Sequence, residues 1–174
     1  MIITYDEFDY KWLMDLPQQK RKQGNQSTSQ KYYYKDLITA FDIETTYIEE
    51  IDQSVMYIWQ WQFGDKCTVI GRTWYELRIF FENLKEHLLD DRLVIFVHNL
   101  SFEFQFLSGV FHFAPDDVFC MDHRKVLKAL YSDTFEFRCS YIHSNMNLRS
   151  FCEKMHVHNY KLKYNYKKRR YWYT

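Results

Sequence analysis

Glycine and proline are scarce, at 4 and 2 residues in a chain of 174, so few tight turns can be placed from composition and the elements must be read from hydrophobic periodicity. No uninterrupted apolar run approaches the ~18 residues that a membrane span needs, and the first residues lack the basic, apolar and cleavage-site succession of a secretory leader. A cytoplasmic protein is expected. The four cysteines, Cys67, Cys120, Cys139 and Cys152, show no framework spacing, and a chain of this length does not need disulfides to fold. They are expected to be reduced and mostly buried. Cys120 with His123, Cys139 with His143 and Cys152 with His156 each have the spacing of a zinc half-site, but no four-ligand set emerges. Net charge is also absent, since 23 basic residues balance 23 acidic ones. The balance is uneven: residues 154–174 hold seven Lys or Arg and no acid, which leaves −7 on residues 1–153. The last Asp is Asp133 and the last acid of any kind is Glu153.

What is present in abundance is aromatic. Rings make up 20% of the chain, with 15 Tyr, 15 Phe and 5 Trp, enough for one α/β domain with an aromatic core and a ring-rich binding groove. The stretch Leu37-Ile38-Thr39-Ala40-Phe41-Asp42-Ile43-Glu44-Thr45-Thr46 is an apolar, β-branched run that delivers two carboxylates at i and i+2. Side chains at that spacing share one face of a strand, about 7 Å apart along the backbone, within reach of one or two hard cations. Asp42 and Glu44 in this arrangement suit phosphoryl chemistry. A strand end whose acids simply meet water is the other reading of the same pattern.

In chain order, residues 1–30 read as an N-terminal appendage followed by a polar linker, and residues 31–174 as the main domain. Within the appendage, residues 1–16 suit a short strand or helix laid against the domain, and residues 18–30 have no apolar residue and read as a loop. Lys20, Arg21 and Lys22 there are either a solvated charge run or a phosphate contact. After the central strand, residues 55–63 and 67–70, separated by Gly64-Asp65, predict a hairpin and hence an antiparallel meander. Residues 74–89 carry apolar positions at 74, 77, 80, 81, 84 and 88, the 3.6-residue period of an amphipathic helix. Residues 93–97 form an apolar run suited to a strand covered on both faces. Ser101 is a candidate N-cap for a helix over residues 102–109. Shorter strands are expected at 118–121, 129–131 and 134–141, and a short helix at 148–155. The order fits a mixed sheet flanked by helices.

A second candidate site follows the buried strand, in Val97-His98-Asn99-Leu100-Ser101-Phe102-Glu103-Phe104. Glu103 sits in a helix first turn, where the macrodipole alone favours an acid, and it can also meet Asp42 and Glu44 if the two strands are near neighbours. Phe41-Asp42-Ile43-Glu44-Thr45-Thr46 resembles the first exonuclease motif, D-x-E-T, and His98-Asn99-Leu100-Ser101-Phe102-Glu103 resembles the second, H-N-L-x-F/Y-D/E. Together they are similar to the proofreading domain of family B DNA polymerases, most closely the protein-primed polymerases of bacteriophages and linear mobile elements. The resemblance runs from about Tyr34 to the end of the chain.

What the resemblance implies is an RNase H-like (DnaQ-like) α/β fold and 3′→5′ removal of nucleotides from single-stranded DNA with two Mg²⁺ or Mn²⁺ ions. Asp42, Glu44 and Glu103 match the family's metal-binding acids, although many members have Asp at the last position. Thr45, Asn99 and Phe102 fall where the family holds the 3′ end of the strand. Ser140 and Tyr141 match a looser DNA-contact segment. Lys161 resembles the lysine that assists exonucleolysis, with Lys163 an alternative register. The family's third motif, Tyr-x-x-x-Asp, has no counterpart after the second motif, so the domain is expected to be incomplete at that end. Three readings follow: an exonuclease whose remainder lies elsewhere, including a polymerase on another chain; a catalytically deficient relative that binds single-stranded DNA; or a protein that binds a replication partner. The basic, aromatic tail, with Lys163, Lys167, Lys168, Arg169 and Arg170 among Tyr and Trp residues, suits phosphates and bases. Alternatively, its rings pack against further chain.

Overall fold

The computed structural model describes residues 1–22, 31–122 and 125–157. Two compact units emerge, Met1–Ser140 and Tyr141–Thr174. The first contains β1 (Ile2–Thr4), α1 (Tyr10–Asp15), β2 (Gln18–Lys22), β3 (Lys31–Lys35), β4 (Thr39–Ile48), β5 (Gln53–Phe63) and β6 (Cys67–Gly71). It continues through α2 (Trp74–Leu88), β7 (Leu93–Val97), α3 (Leu100–Leu107), β8 (Val118–Cys120), β9 (Val126–Tyr131) and β10 (Phe135–Cys139). The second unit holds α4 (Tyr141–Ser144) and α5 (Leu148–Lys154), the latter capped by Asn147, whose side chain accepts from the Ser150 N–H. No described helix is long and apolar enough to cross a membrane.

Eight strands form one mixed sheet in the order β1-β6-β5-β4-β7-β10-β9-β8. The β4-β5-β6 meander is antiparallel as expected, while β4, β7 and β10 run parallel to one another. This is the sheet of an RNase H-like fold, with helices of the first unit packed against it. Alternation sends Phe41 and Ile43 of β4 into the core, where Phe41 meets Trp61 and Phe137 edge-on. The core is ring on ring: Trp59, Trp61, Phe63, Phe80, Phe81, Phe135 and Phe137 are fully buried. Helix α2 presents Leu77, Phe80, Phe81, Leu84 and Leu88 to it. Its start is held by a reciprocal box in which the Thr73 hydroxyl accepts from the Glu76 N–H and the Glu76 carboxylate accepts from the Thr73 N–H.

The N-terminal residues are built into this scaffold. Strand β1 is an edge strand of the main sheet, in parallel register with β6, and Phe8 and Leu13 are buried. Residues 18–22, expected as part of a loop, instead form β2 and pair antiparallel with β3 in a second, two-stranded sheet. Their lack of apolar residues hid them, because backbone pairing supplies what periodicity does not. The hairpin is anchored at its base. Arg92 donates its N–H to Tyr33 O, Lys35 donates its N–H to Arg92 O, and the Gln18 carboxamide and Lys35 ammonium both bind Asp91, which is buried with Lys35.

A candidate nuclease active site at the strand ends

Because Phe41 and Ile43 face the core, Asp42 and Glu44 face the opposite side of β4, where both are half-buried. Asp42 accepts a 2.9 Å hydrogen bond from Gln60 Nε2, its registered neighbour on β5. Gln60 is a partner of Asp42 that sequence reading passed over. Its signal lay in the polar positions of the alternating run on β5. Beyond Glu44 the register with β5 slips by one residue, since Glu44 pairs with Ile58 and Thr45 with Met56. Such a bulge re-aims the strand, and Thr45 leaves it half-buried.

Strand β7 lies directly beside β4, which meets the condition for bringing Glu103 toward the acid pair. The ladder between them covers only Thr39 with Ile95 and Ala40 with Phe96, and ends before Asp42. Past Val97, Asn99 takes the left-handed conformation (φ 67°, ψ 57°), which Asn tolerates better than most residues, and opens α3 at Leu100. Asn99 is the N-cap position, although its side chain makes no capping bond; its backbone carbonyl accepts from the Phe102 N–H. The expected Ser101 cap is corrected here: Ser101 lies inside the helix, and its hydroxyl accepts from the Val126 N–H at 2.9 Å, tying α3 to β9.

Helix α3 buries Leu100, Glu103 and Leu107 along one face. That spacing places an acid in a core-facing stripe between two leucines, with Glu103 3% exposed. Phe102, one position earlier, is 41% exposed, with its ring 5.4 Å from that of Phe106. Ser140, at the end of β10, donates its N–H to Val97 O at 2.9 Å, and its hydroxyl lies 3.3 Å from His98 Nδ1. Thus Asp42, Glu44 and Thr45 lie on β4 just past its short ladder with β7, while His98 and Asn99 follow the C-terminal end of β7 and Ser140 follows that of β10. The first turn of α3 follows from the end of β7.

The polar face continues across the sheet. Ala40, Phe96, Arg138 and Lys128 are registered neighbours on β4, β7, β10 and β9. Arg138 and Lys128 flank fully buried Glu136, which also accepts a 2.8 Å bond from the Tyr34 hydroxyl. Burial pushes the Glu136 carboxyl up, but the Arg138 guanidinium, the Tyr34 hydroxyl and the Lys128 ammonium together hold it below its ordinary value.

Among the described residues, no three His, Cys, Asp or Glu side chains stand close enough to form a ready-made metal cluster. The acids are therefore neighbours by element and are not closed around one point. Tyr141 begins α4 in the second unit. Lys161, Lys163, Lys167, Lys168, Arg169 and Arg170 lie outside the described residues. Among the cysteines, Cys67 and Cys139 are buried, Cys152 is half-buried and Cys120 is exposed, and all four are free thiols.

A family model described as 3′-5′ exonuclease, of the DNA polymerase A type, matches residues 21–171. The chain belongs to the 3′-5′ exonuclease family. The match spans both motifs and most of the sheet. Solved structures of Phi29 DNA polymerase share the exonuclease fold: the complex with single-stranded DNA aligns over 77% of this chain at TM-score 0.58 and 12% identity. The post-translocation complex with primer-template DNA aligns over 75% at TM-score 0.56 and 11% identity. The chain covers 26% and 25% of those polymerase chains, and so corresponds to about a quarter of their length. No curated protein matches the sequence.

Proposed function

We propose that this exonuclease-family domain removes nucleotides from the 3′ end of single-stranded DNA in the service of a DNA polymerase of the protein-primed, family B kind. The observation that carries the reading is the meeting of β4 and β7. The D-x-E-T strand and the strand leading into H-N-L-x-F-E are adjacent and parallel. The motif forms favour family B, while the family model is of the polymerase A type, so the polymerase class rests on the motifs alone.

The donor set fits a hard divalent cation, because Asp42, Glu44 and Glu103 offer only carboxylate oxygens. These three residues would hold Mg²⁺ or Mn²⁺, which supply charge stabilisation for the attacking and leaving oxygens and a more acidic water. The chain's own residues do the rest. Gln60 fixes one oxygen of Asp42. Asn99, with a carboxamide not used as a cap, and Thr45, just past the bulge, hold the terminal nucleotide by hydrogen bonds. Exposed Phe102 stacks on a base, an interaction worth about 1–3 kcal/mol and indifferent to base identity, which is what proofreading needs. Ser140, Tyr141 and the tail residues Lys161, Lys163, Lys167, Lys168, Arg169 and Arg170 are further candidates for contact with DNA, from their side-chain chemistry. Polymerisation and any priming would belong to a polymerase domain working with this one.

The acids' failure to close into a cluster among the described residues favours a second reading, a relative that retains single-stranded DNA without cutting it. A labelled single strand incubated with Mn²⁺ separates the two. The exonuclease reading expects progressive shortening from the 3′ end, reduced to background by Asp42→Ala. Retention of an intact strand supports the second reading, and shortening that survives Asp42→Ala would overturn the first.

A further inference from the structure

We propose that a row of residues across one half of the sheet, Arg138 of β10, Lys128 of β9 and Phe119 of β8, is a track for the single-stranded DNA that leads up to the acids of β4. The inference rests on the DNA reading above and extends it to residues outside the two motifs.

Register carries the first step. Residues paired directly across neighbouring strands share a face of the sheet. The row of Ala40, Phe96, Arg138 and Lys128 is continued on β8 by Phe119, which pairs with Lys128 just before the register slips at Cys120. Ala40 lies two residues before Asp42 on β4 and so faces the same way. The row therefore shares a face with Asp42 and Glu44. At about 4.8 Å per strand it sets Arg138 about 10 Å and Phe119 about 19 Å across the sheet from Ala40. A single strand with its 3′ end at the acids covers that distance in a few nucleotides.

Charge carries the second step. Residues 36–153 contain ten basic residues against nineteen acids. A polyanion is repelled by such a domain as a whole and gains affinity where positive charge collects. Arg138 and Lys128 form such a place. Both oxygens of fully buried Glu136 are engaged: Oε1 accepts from Arg138 Nε at 2.6 Å, while Oε2 accepts from the Tyr34 hydroxyl at 2.8 Å and lies 3.3 Å from Lys128 Nζ. Two cations share one carboxylate, which leaves positive charge in excess, and each of the two side chains is about a third exposed. Glu136 is a positioning residue in this arrangement. It holds a planar guanidinium and an ammonium in place, so that they lose little freedom on meeting a phosphate.

Exposure carries the third. Phe119 is 62% exposed on the edge strand β8, whereas Phe135 and Phe137 of nearby β10 are buried. A lone exposed ring needs no explanation. One that stands beside two cations on the same face supplies the stacking surface that, with charge, binds a single strand whatever its sequence. A duplex keeps its bases stacked inside and cannot use it.

The test measures binding of an oligothymidylate of about 12 nucleotides to the full chain in EDTA as salt is varied, beside an equal-length duplex and polyglutamate, with thermal melting as the folding control. Phe119→Ala should weaken single-strand binding by roughly fivefold or more, with the salt slope and the duplex binding unchanged. Lys128→Gln, which leaves Glu136 bound by Arg138 and Tyr34, should lower the slope of log K against log salt by about 0.7. A Lys128→Gln/Glu136→Gln/Arg138→Gln chain, which removes the buried charge with its partners, should lower it by about 1.4. Lys85→Gln takes the same charge from α2, on the other face, and should change neither quantity. Unchanged affinity in Phe119→Ala, an unchanged slope in folded Lys128→Gln, or an equal fall in Lys85→Gln overturns the proposal. So does polyglutamate binding that matches DNA and is lost with Lys128, which would point to an acidic protein partner. Hydrolysis with Mn²⁺ is scored separately. If only the exonuclease reading fails, no chain cuts DNA yet these binding differences remain. If only the track fails, cutting persists and the variants bind alike.

Discussion

Glu103→Leu should separate function from packing, because the two pull in opposite directions at that position. The carboxylate is 3% exposed and occupies the inward stripe of α3 between Leu100 and Leu107, both fully buried. Packing alone would place a leucine there, since burying such a side chain is worth about 1.5–3 kcal/mol and it has nearly the volume of glutamate. Burying a carboxylate carries a desolvation cost that a leucine of similar size does not incur. Glu103→Leu is therefore expected to leave the unfolding free energy unchanged or to raise it by up to about 3 kcal/mol. That corresponds to a rise of up to roughly 10 °C in Tm for a domain of this size. Hydrolysis of a labelled single strand should meanwhile fall to background, and Glu103→Gln should lose it too while keeping the fold. Urea unfolding and the nuclease assay on the same preparations give both numbers. If Glu103→Leu loses more than about 1 kcal/mol of stability while Glu103→Gln still cuts DNA, the acid is a structural residue and its catalytic assignment is refuted.

Gly71→Ala probes the core beneath the site. A Cβ at Gly71 would lie 2.3 Å from the Trp59 ring, which is fully buried, stacked on Phe80 and held by a bond from its indole N–H to Thr73 O. The indole has nowhere to move, so a loss of about 1–3 kcal/mol is expected in urea unfolding, and a change under about 0.5 kcal/mol would contradict this packing. The held-down carboxyl of Glu136 gives a pH signature. A folded-state value below the unfolded one adds stability that is complete above the ordinary glutamate range and is lost as pH falls through the folded value. Thermal melts of the wild type and Glu136→Gln should differ most near neutrality and converge in acid; a gap that widens in acid would reverse the sign argued here.

The central strand, the α2 helix and the two acid-bearing motifs were legible because each is written in local terms. Alternation around Phe41 and Ile43 assigns Asp42 and Glu44 to one face, and the 3.6-residue period of α2 announces its buried side. The start of α3 was less legible: Ser101 has the chemistry of a cap, yet the chain turns at Asn99, and the Ser101 hydroxyl is taken by Val126, a partner 25 residues away. The β2–β3 hairpin left no periodic trace, since residues 18–22 are all polar and become a strand only through pairing with β3 and anchoring to Asp91 and Arg92.

The sequence by itself determined the faces of the central strand and of α2, because side-chain periodicity in a strand or helix is a property of the local backbone. Only the tertiary structure decided that β4 and β7 are neighbours, that Gln60 steadies Asp42, and that Glu103 is buried. Strand order and burial depend on how distant segments share one core, and no local pattern encodes that.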